Sequence, residues 1–380
     1  MNKNINRNYE YFLKQNEKKI ITLFIIFLFV FLDFILTNFM SYFDFSLTCK
    51  NRNLKLIAEP NLIYHHSFKE NAIGRGYGCE KIITNSLGFK DKSIENINNK
   101  STNNRILFIG DSFTEGVGLN YEDTFVGIVD DFLDDKNIEV LNAGRSSYSP
   151  IIHWRKIKYL LKNEFRFNHL YIFLDISDPF DEFYNYELDK NENVIKRISN
   201  NYVQDSKNIN PKMSVKKIKI LIKNNFTFLY FISDYIYSFY KKSINESGEW
   251  FIWTRSEYER WTTEKYLFEK YAKEGVDIMK LYMDKIVLLS DKYNFKITLA
   301  VYPRPTQIWN EDINSIHVNI WSKWADKNNI KFLNLFPVFI EKNQNLKQRY
   351  KTLKKYYLKG DPHFNKLGNK MIANEIIKNL

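Results

Sequence analysis

The chain has 380 residues, 44% of them hydrophobic and 26% charged, which excludes a disordered chain and allows one large or two modest globular domains. With only 13 glycines and 8 prolines, it is neither collagen-like nor a proline-rich low-complexity protein. The net charge is +12, but basic and acidic residues are mixed along the chain. We therefore expect anionic membrane or envelope polymer, and not nucleic acid, as the charged partner.

The first predicted element is a transmembrane helix over residues 20–43. This segment contains no Lys or Arg, and about 20 apolar residues cross a hydrocarbon core of about 30 Å. Asp33 costs about 2.5–3.5 kcal/mol at the bilayer centre and less toward an interface, which the surrounding Phe, Leu and Ile outweigh. A buried core helix fits poorly because the segment is apolar all round. A cleaved signal peptide fits poorly because the apolar stretch is too long and no small-residue cleavage site follows.

The charges that flank this segment indicate the orientation of the chain. Five basic residues precede the segment and three follow it closely: Lys3, Arg7, Lys14, Lys18 and Lys19 against Lys50, Arg52 and Lys55. The excess favours an N-terminus inside the cell. We therefore expect residues 1–19 to be a cytoplasmic tail, with a single-pass anchor in the inner (cytoplasmic) membrane. The remainder would be periplasmic or extracellular.

The only two cysteines, Cys49 and Cys79, both lie between the anchor and the main domain. An even number of cysteines in an oxidising compartment allows one disulfide. Two free buried thiols are the alternative, because the sequence does not give the separation of the two residues.

Residues 44–104 are interpreted as a preamble or linker, and an α/β domain follows over residues 105–380. Short apolar runs predict five strands, at residues 105–109, 138–141, 170–174, 296–301 and 331–335. Apolar residues at helical spacing predict helices at 124–133, 153–161 and 369–380. Strands that alternate with helices predict a parallel sheet with helices on both faces. The carboxyl ends of its strands then share one edge, where open sheets bind ligands.

A helical insertion at about residues 182–285 separates the third strand from the fourth, because this stretch is too long for a single crossover. Residues 226–240 are strongly apolar but interrupted by Ser and Asp, which favours an amphipathic cap or membrane-surface helix over a second span. Trp250, Trp253 and Trp261 follow in a charged setting. Packing of the insertion on the sheet is favoured for them over a lid or an acceptor-binding wall.

Two motifs at opposite ends of the domain carry the chemistry. Gly110-Asp111-Ser112 follows the first strand, so the Ser112 hydroxyl is expected at the sheet edge near a helix N-terminus, where backbone N–H groups can stabilise an oxyanion. Asp361-Pro362-His363 precedes the last helix. A histidine can accept the proton of a serine nucleophile, and a nearby acid can orient the imidazole. Each motif alone is also typical of a simple helix cap.

Together these blocks resemble the SGNH hydrolases, also called the GDSL esterase/lipase family. The run 110–113 (GDSF) is similar to the family's nucleophile block, and 142–144 (NAG) to the block whose glycine, Gly144, donates to the oxyanion. The run 361–363 (DPH) is similar to the block of the triad acid and base. Its spacing is like that of membrane-linked polysaccharide O-acetyltransferase relatives. The resemblance implies a flavodoxin-like α/β/α three-layer fold and a triad of Ser112, His363 and Asp361.

One block departs from the family pattern. Residues 175–178 (DISD) replace the usual Gly-x-Asn-Asp, so Ser177 takes the place of the oxyanion-hole asparagine. Loss of one such donor costs about 10²–10³ in rate. Ser177, a water molecule or Asn142 could substitute, or the activity is slow. Asn142 is also a candidate substrate contact. Arg304, which follows the fourth strand, is a candidate for binding an anionic substrate, although a rigid loop fits equally well.

The sequence therefore predicts a membrane-anchored serine esterase or O-acyltransferase that acts on acylated carbohydrate or a small ester. The oxyanion would be held by Ser112 and Gly144, with Ser177 as a further candidate. The histidines show no metal spacing, and no metal or organic cofactor is expected. The alternative is a catalytically weak carbohydrate-binding or scaffold protein in envelope polysaccharide assembly.

Overall fold

The computed structural model describes residues 2–42, 57–76, 78–100, 104–197, 222, 224–244 and 246–380. The chain forms two compact units. The helical unit consists of Met1–Asn51 and Gln204–Phe239, and the α/β unit consists of Arg52–Val203 and Tyr240–Leu380.

The strands of the described chain are β1 (Ala58–Asn61), β2 (His65–Phe68), β3 (Ile73–Arg75), β4 (Lys81–Thr84), β5 (Lys90–Asp91), β6 (Asn104–Ile109), β7 (Ile138–Asn142), β8 (His169–Leu174), β9 (Tyr186–Leu188), β10 (Val194–Lys196), β11 (Lys296–Val301) and β12 (Lys331–Asn334). The main helices are α1 (Asn2–Tyr42), α2 (Ser112–Glu115), α3 (Phe125–Leu133), α4 (Pro150–Lys162), α5 (Thr227–Ile244), α6 (Lys273–Tyr293), α7 (Pro305–Trp309), α8 (Ile316–Lys327), α9 (Leu346–Tyr356) and α10 (Lys366–Lys378). Short helical turns lie at Tyr121–Asp123, Asp134–Lys136, Asp178–Phe180, Asp181–Asn185, Gly248–Trp250, Phe251–Thr254, Glu257–Arg260, Lys265–Leu267, Phe268–Ala272 and Phe336–Phe339.

The α/β unit is built on an eight-stranded sheet in the order β12-β11-β8-β6-β7-β5-β4-β3. The five strands from β12 to β7 are parallel. Counted along the chain, their order is 2-1-3-4-5, which is the flavodoxin-like order. This confirms the predicted α/β fold and its parallel sheet. The order reverses between β6 and β8, so the ligand crevice of such a sheet lies beyond the carboxyl ends of these two strands.

The central parallel strands β6, β8 and β11 are buried on both faces, which is why they are continuous apolar runs. Every residue from Leu107 to Ile109 and from Leu170 to Leu174 is fully buried. The covering helices pack in pairs, α3 with α10 and α4 with α6, as right-handed crossovers require. All five predicted parallel strands and the three predicted helices are present, with bounds shifted by a few residues.

The stretch interpreted as a preamble contributes strands that the sequence analysis did not predict. β5, β4 and β3 extend the sheet from β7 as antiparallel strands, and β1 and β2 form a separate hairpin. These strands are only two to four residues long, so they show too few positions for a recognisable alternation. A second unpredicted hairpin, β9 and β10, lies at the start of the insertion.

The helical unit contains α1 and most of α5. Within α1, Lys14–Met40 is long and apolar enough to cross a membrane, with a mean hydropathy of 2.8. An N-terminal signal sequence would meet the same criterion. Residues 227–240 of the apolar stretch are helical, as expected, and belong to α5.

Candidate active site

The residues predicted to carry chemistry lie where parallel strands end. Ser112 follows β6, Gly144 follows β7, Ser177 follows β8 and Arg304 follows β11. All four are therefore at the carboxyl edge of the sheet, on both sides of the point where the strand order reverses.

A tight turn presents Ser112 as the first residue of α2. Asp111 is the N-cap, and its Oδ1 accepts the Phe113 N–H at 2.9 Å. Gly110 is required at this turn because a Cβ atom there would lie 2.2 Å from Thr114 Oγ1. The turn leaves the Ser112 side chain half-buried and directed at the loop between α9 and α10.

That loop brings an imidazole and a carboxylate to Ser112. His363 Nε2 lies 2.8 Å from Ser112 Oγ, and His363 Nδ1 lies 2.5 Å from Asp361 Oδ1. The same carboxylate oxygen also accepts a hydrogen bond from the backbone N–H of His363, at 3.0 Å. Burial opposes ionisation of Asp361, but the hydrogen bonds and charge of His363 outweigh it and lower the pKa of the carboxyl. An ionised Asp361 holds the proton on Nδ1 and leaves Nε2 as an acceptor.

Two tryptophans of the insertion hold this loop. Trp250 Nε1 donates to the Asp361 carbonyl at 3.0 Å, and Trp253 Nε1 donates to the Gly360 carbonyl at 3.1 Å. These side chains pack, as favoured from the sequence. Their bonds to the His363 loop were missed, because partners more than 100 residues away leave no local signal.

Beneath Ser112 lies a buried group of acidic side chains. Tyr302 OH donates to Asp111 Oδ1 at 2.9 Å and approaches Asp175 Oδ2 at 3.4 Å. Burial, followed by the charge of Asp175, raises the pKa of Asp111 to about 7. Burial, followed by the charges of Asp111 and Asp175, raises the pKa of Asp178 well above its usual value. Asp111 Oδ2 also lies 3.2 Å from Ser112 Oγ, so this carboxyl can influence the nucleophile directly.

The Gly144 amide already has an acceptor. Its N–H donates to Asn142 Oδ1 at 3.0 Å, while Asn142 Nδ2 donates to the Thr114 carbonyl at 2.8 Å. Asn142 is fully buried, which favours a structural role over the predicted substrate contact. Gly144 can donate to an oxyanion only if the Asn142 amide is displaced, so its role stays a prediction.

Residues 175–178, which replace the Gly-x-Asn-Asp block of the family that the sequence resembles, are hydrogen-bonded to one another. Asp175 Oδ1 accepts the Ser177 N–H at 2.8 Å, and Asp178 Oδ2 accepts the Asp175 N–H at 2.9 Å. These bonds support the structural alternative for the two aspartates, which end β8 and begin a helical turn. The Ser177 hydroxyl has no hydrogen-bond partner among the described residues. Its part in an oxyanion hole stays a prediction.

Arg304 is held by two carboxylates. Its Nη1 lies 3.2 Å from Glu259 Oε1 and 3.5 Å from Asp175 Oδ1, and the side chain is buried. Burial opposes its charge, but the two carboxylates outweigh this effect and raise its pKa. The geometry favours the rigid-loop interpretation of Arg304.

Cys79 is disulfide-bonded. Its predicted partner, Cys49, lies outside the described residues, so the Cys49–Cys79 pairing stays a prediction. The described part of the chain contains no group of three or more His, Cys, Asp or Glu side chains that could hold a metal ion.

No family model and no curated protein matches this chain. Solved structures do match. A lipolytic protein of the G-D-S-L family from Veillonella parvula is 11% identical, with 72% of this chain and 96% of that chain covered at a TM-score of 0.38. Esterase EstA from Pseudoalteromonas sp. is 15% identical, with 72% and 95% covered at 0.33. The acetylxylan esterase Axe2 from Geobacillus stearothermophilus is 14% identical, with 74% and 95% covered at 0.37.

Proposed function

We propose that this chain is a membrane-anchored serine esterase or O-acyltransferase that acts on ester-linked acyl groups, most simply O-acetyl, of cell-envelope carbohydrate. The observation that supports it best is the chain of short contacts from Ser112 Oγ to His363 Nε2 and from His363 Nδ1 to Asp361. This is the arrangement that activates a serine hydroxyl.

In the first half-reaction, Ser112 Oγ attacks the ester carbonyl and His363 Nε2 takes the hydroxyl proton. Asp361 keeps the imidazole in the tautomer with Nδ1 protonated and stabilises the imidazolium. Collapse of the tetrahedral intermediate breaks the bond to the alcohol, which leaves with the proton returned by His363. The product is an acyl group on Ser112.

In the second half-reaction, His363 removes a proton from the incoming nucleophile, which attacks the acyl-serine. Water gives hydrolysis, and a sugar hydroxyl gives transfer of the acyl group. The Ser112 amide is at the N-terminus of α2, where a backbone N–H can face the developing oxyanion. Gly144 and Ser177 are the other proposed donors.

The carbohydrate part of the proposal rests on the resemblance of the 361–363 block to polysaccharide O-acetyltransferase relatives and on the apolar N-terminal helix. We propose that residues 20–43 anchor the protein in the inner membrane with the N-terminus inside. This would place the α/β unit in the periplasm or outside the cell.

A catalytically weak carbohydrate-binding or scaffold protein is the second candidate. Two observations favour it: the Gly144 amide is engaged by Asn142, and Ser177 replaces the expected asparagine. A site that lacks two oxyanion donors would turn over slowly.

Ester turnover by the purified full chain separates the two candidates. We expect release of acetate from p-nitrophenyl acetate and from acetylated carbohydrate, and a loss of at least about 10³-fold in kcat in Ser112→Ala, because no other group can form the acyl-enzyme. Ser322→Ala, on the distant helix α8, is the matched control and should keep the wild-type rate. Equal rates for all three proteins would favour the scaffold.

A further inference from the structure

Helix α5 in the helical unit has an apolar surface that the proposed chemistry does not use. Large apolar side chains are exposed along one continuous face of this helix, at the i, i+3, i+4, i+7, i+8, i+11 spacing of an amphipathic stripe: Phe228, Phe231, Ile232, Tyr235, Ile236 and Phe239. A helix in water normally buries its apolar stripe against a core, whereas a helix whose stripe is exposed along several turns is typical of one that inserts that face into lipid.

The first residues of α5 are hydrogen-bonded to side chains in the middle of the apolar segment of α1. Asp33 accepts the N–H groups of Phe228 and Leu229, at 3.0 and 2.9 Å through its two carboxylate oxygens. Thr37 Oγ accepts the Thr227 N–H at 2.9 Å and itself lies 3.2 Å from Asp33 Oδ1. Asp33, Thr37 and Thr227 are all buried, so this junction is closed to its surroundings.

These contacts explain the one charged residue in the apolar segment. A carboxylate within a transmembrane helix is costly unless it is paired, and the first amides of a helix are costly in hydrocarbon unless something accepts their hydrogens. Asp33 meets both requirements at once, because its negative charge caps the positive end of the α5 dipole. In water such a cap would need neither burial nor a position inside an apolar helix.

We propose that the apolar surface of α5 is embedded in the outer leaflet of the same bilayer as α1, with lipid acyl chains as its partner. This inference rests on the anchoring part of the proposed function. If α1 spans the membrane and ends near Tyr42, Asp33 lies about 14 Å along the helix from that end. The part of α5 from Thr227 to Phe239 is about 18 Å long, which is enough to reach the headgroup region from this depth.

The sequence after the exposed apolar residues fits this arrangement. Lys241 and Lys242 follow directly, and basic residues are favoured at the headgroups of anionic lipids. The apolar stretch is too short for a full span and has the length of an interfacial or re-entrant segment. The α5 segment would therefore add a second point of membrane attachment.

Lipid-borne quenching of a fluorophore tests this proposal. The full chain carrying Ile236→Cys is labelled with the fluorophore NBD without reductant, so that disulfide-bonded Cys79 stays unlabelled. It is then reconstituted in phosphatidylcholine–phosphatidylglycerol vesicles that contain doxyl-labelled lipid. Phe27→Cys on α1 and Leu288→Cys on α6 of the α/β unit are matched controls, because the three native side chains are 61%, 64% and 67% exposed.

We expect the label at residue 236 to be quenched about as strongly as the label at residue 27, and several-fold more than the label at residue 288. Quenching at 27 but not at 236 overturns the inference and leaves the anchor intact. A label at 236 that is shielded from water without lipid quenching indicates a second protein copy and also overturns it. If the label at 27 is not quenched, the anchoring proposal fails, and the inference fails with it.

Asp33→Leu tests the role of the cap. The substitution makes α1 more apolar, so the label at 27 should remain quenched. Without an acceptor for its first amides, α5 should leave the hydrocarbon, and quenching at 236 should fall to the level of residue 288. Asp33→Asn, which keeps one acceptor oxygen, should retain part of the quenching. Unchanged quenching at 236 in Asp33→Leu would overturn the proposed role of Asp33.

Discussion

The Ser112 hydroxyl lies between two groups that can accept its proton. His363 Nε2 is 2.8 Å away, and Asp111 Oδ2 is 3.2 Å away. Only the bond to His363 leads to nucleophilic attack. Because burial and the charge of Asp175 raise the pKa of Asp111 to about 7, the competition between these acceptors depends on pH near neutrality.

We expect Asp111→Asn to remove an alkaline decline in activity. Below pH 7 Asp111 is protonated and neutral. Above pH 7 its charge opposes the negative charge that develops on the substrate oxygen next to Ser112. Such an interaction is worth about tenfold in rate. Asparagine keeps an acceptor for the Phe113 N–H and for Tyr302. The pH profile of kcat/KM, compared between wild type and variant, measures the effect, and the same alkaline limb in both proteins would contradict it.

The sequence predicted a nucleophile and a base whose side chains are in contact in the structure, but it did not predict the residues around them. Ser112 and His363 could be predicted because each lies in a short motif at the end of an element. The contact of Tyr302 with Asp111 joins residues 191 positions apart, and no local pattern marks it. The engagement of Gly144 by Asn142 was missed for another reason, since the motif 142–144 is compatible both with an open and with an occupied amide.

At the scale of elements, the insertion supports the His363 loop. The Trp250 indole is the link, because it donates to the carbonyl of Asp361. An indole N–H bonded to a loop carbonyl fixes the loop without any contact with the substrate. Trp250 is therefore a positioning residue.

We expect Trp250→Phe to lower kcat about tenfold with little change in KM, because an unpaired buried carbonyl costs about 1–3 kcal/mol and loosens the loop. Trp321→Phe is the matched control. That indole is also fully buried, but its N–H has no hydrogen-bond partner among the described residues, so its loss should leave kcat unchanged. Equal effects of the two substitutions on kcat would indicate a general loss of packing instead.

Glu182 caps helix α4 from a neighbouring turn. Its Oε1 accepts the Ile151 N–H at 2.6 Å, and the side chain is fully buried. Burial raises its pKa to about 8. Between pH 4.5 and 8 the folded state therefore holds a proton that the unfolded state has lost, and stability falls as the pH rises through this window.

We expect Glu182→Gln to raise the free energy of unfolding at pH 8 by an amount on the order of a few kcal/mol and to leave it unchanged near pH 4.5. Glutamine keeps the acceptor for Ile151 without the ionisation penalty. Thermal unfolding at the two pH values measures the effect. Glu70→Gln, at an exposed turn between β2 and β3, should change stability far less at both pH values. A stabilisation independent of pH would contradict the explanation.

The parallel strands could be predicted because burial on both faces makes them continuous apolar runs. The antiparallel extension could not, because β5 has only two residues, Lys90 and Asp91, both polar and both buried. Lys90 is tolerated there because its ammonium donates to the carbonyls of Gly116 and Leu119 at 2.9 and 2.7 Å. Such compensation depends on residues that are distant in the sequence.

At the scale of the whole molecule, we propose that one unit carries out catalysis and the other attaches the protein to the membrane. The α/β unit carries the proposed nucleophile, base and acid, Ser112, His363 and Asp361, in contact with one another. The helical unit carries the apolar segment and the cap by which, we propose, α5 joins it in the membrane. Asp33, the one charged residue in the apolar segment, is paired in the structure with backbone N–H groups of α5.

Covalent labelling of the full chain with a fluorophosphonate probe, followed by peptide mass spectrometry, tests the central claim most directly. The account predicts a single adduct on Ser112, absent in Ser112→Ala and at least about 10²-fold slower in His363→Gln, because only an activated serine attacks phosphorus rapidly. An adduct elsewhere, or labelling of Ser112 at an unchanged rate in His363→Gln, would contradict it.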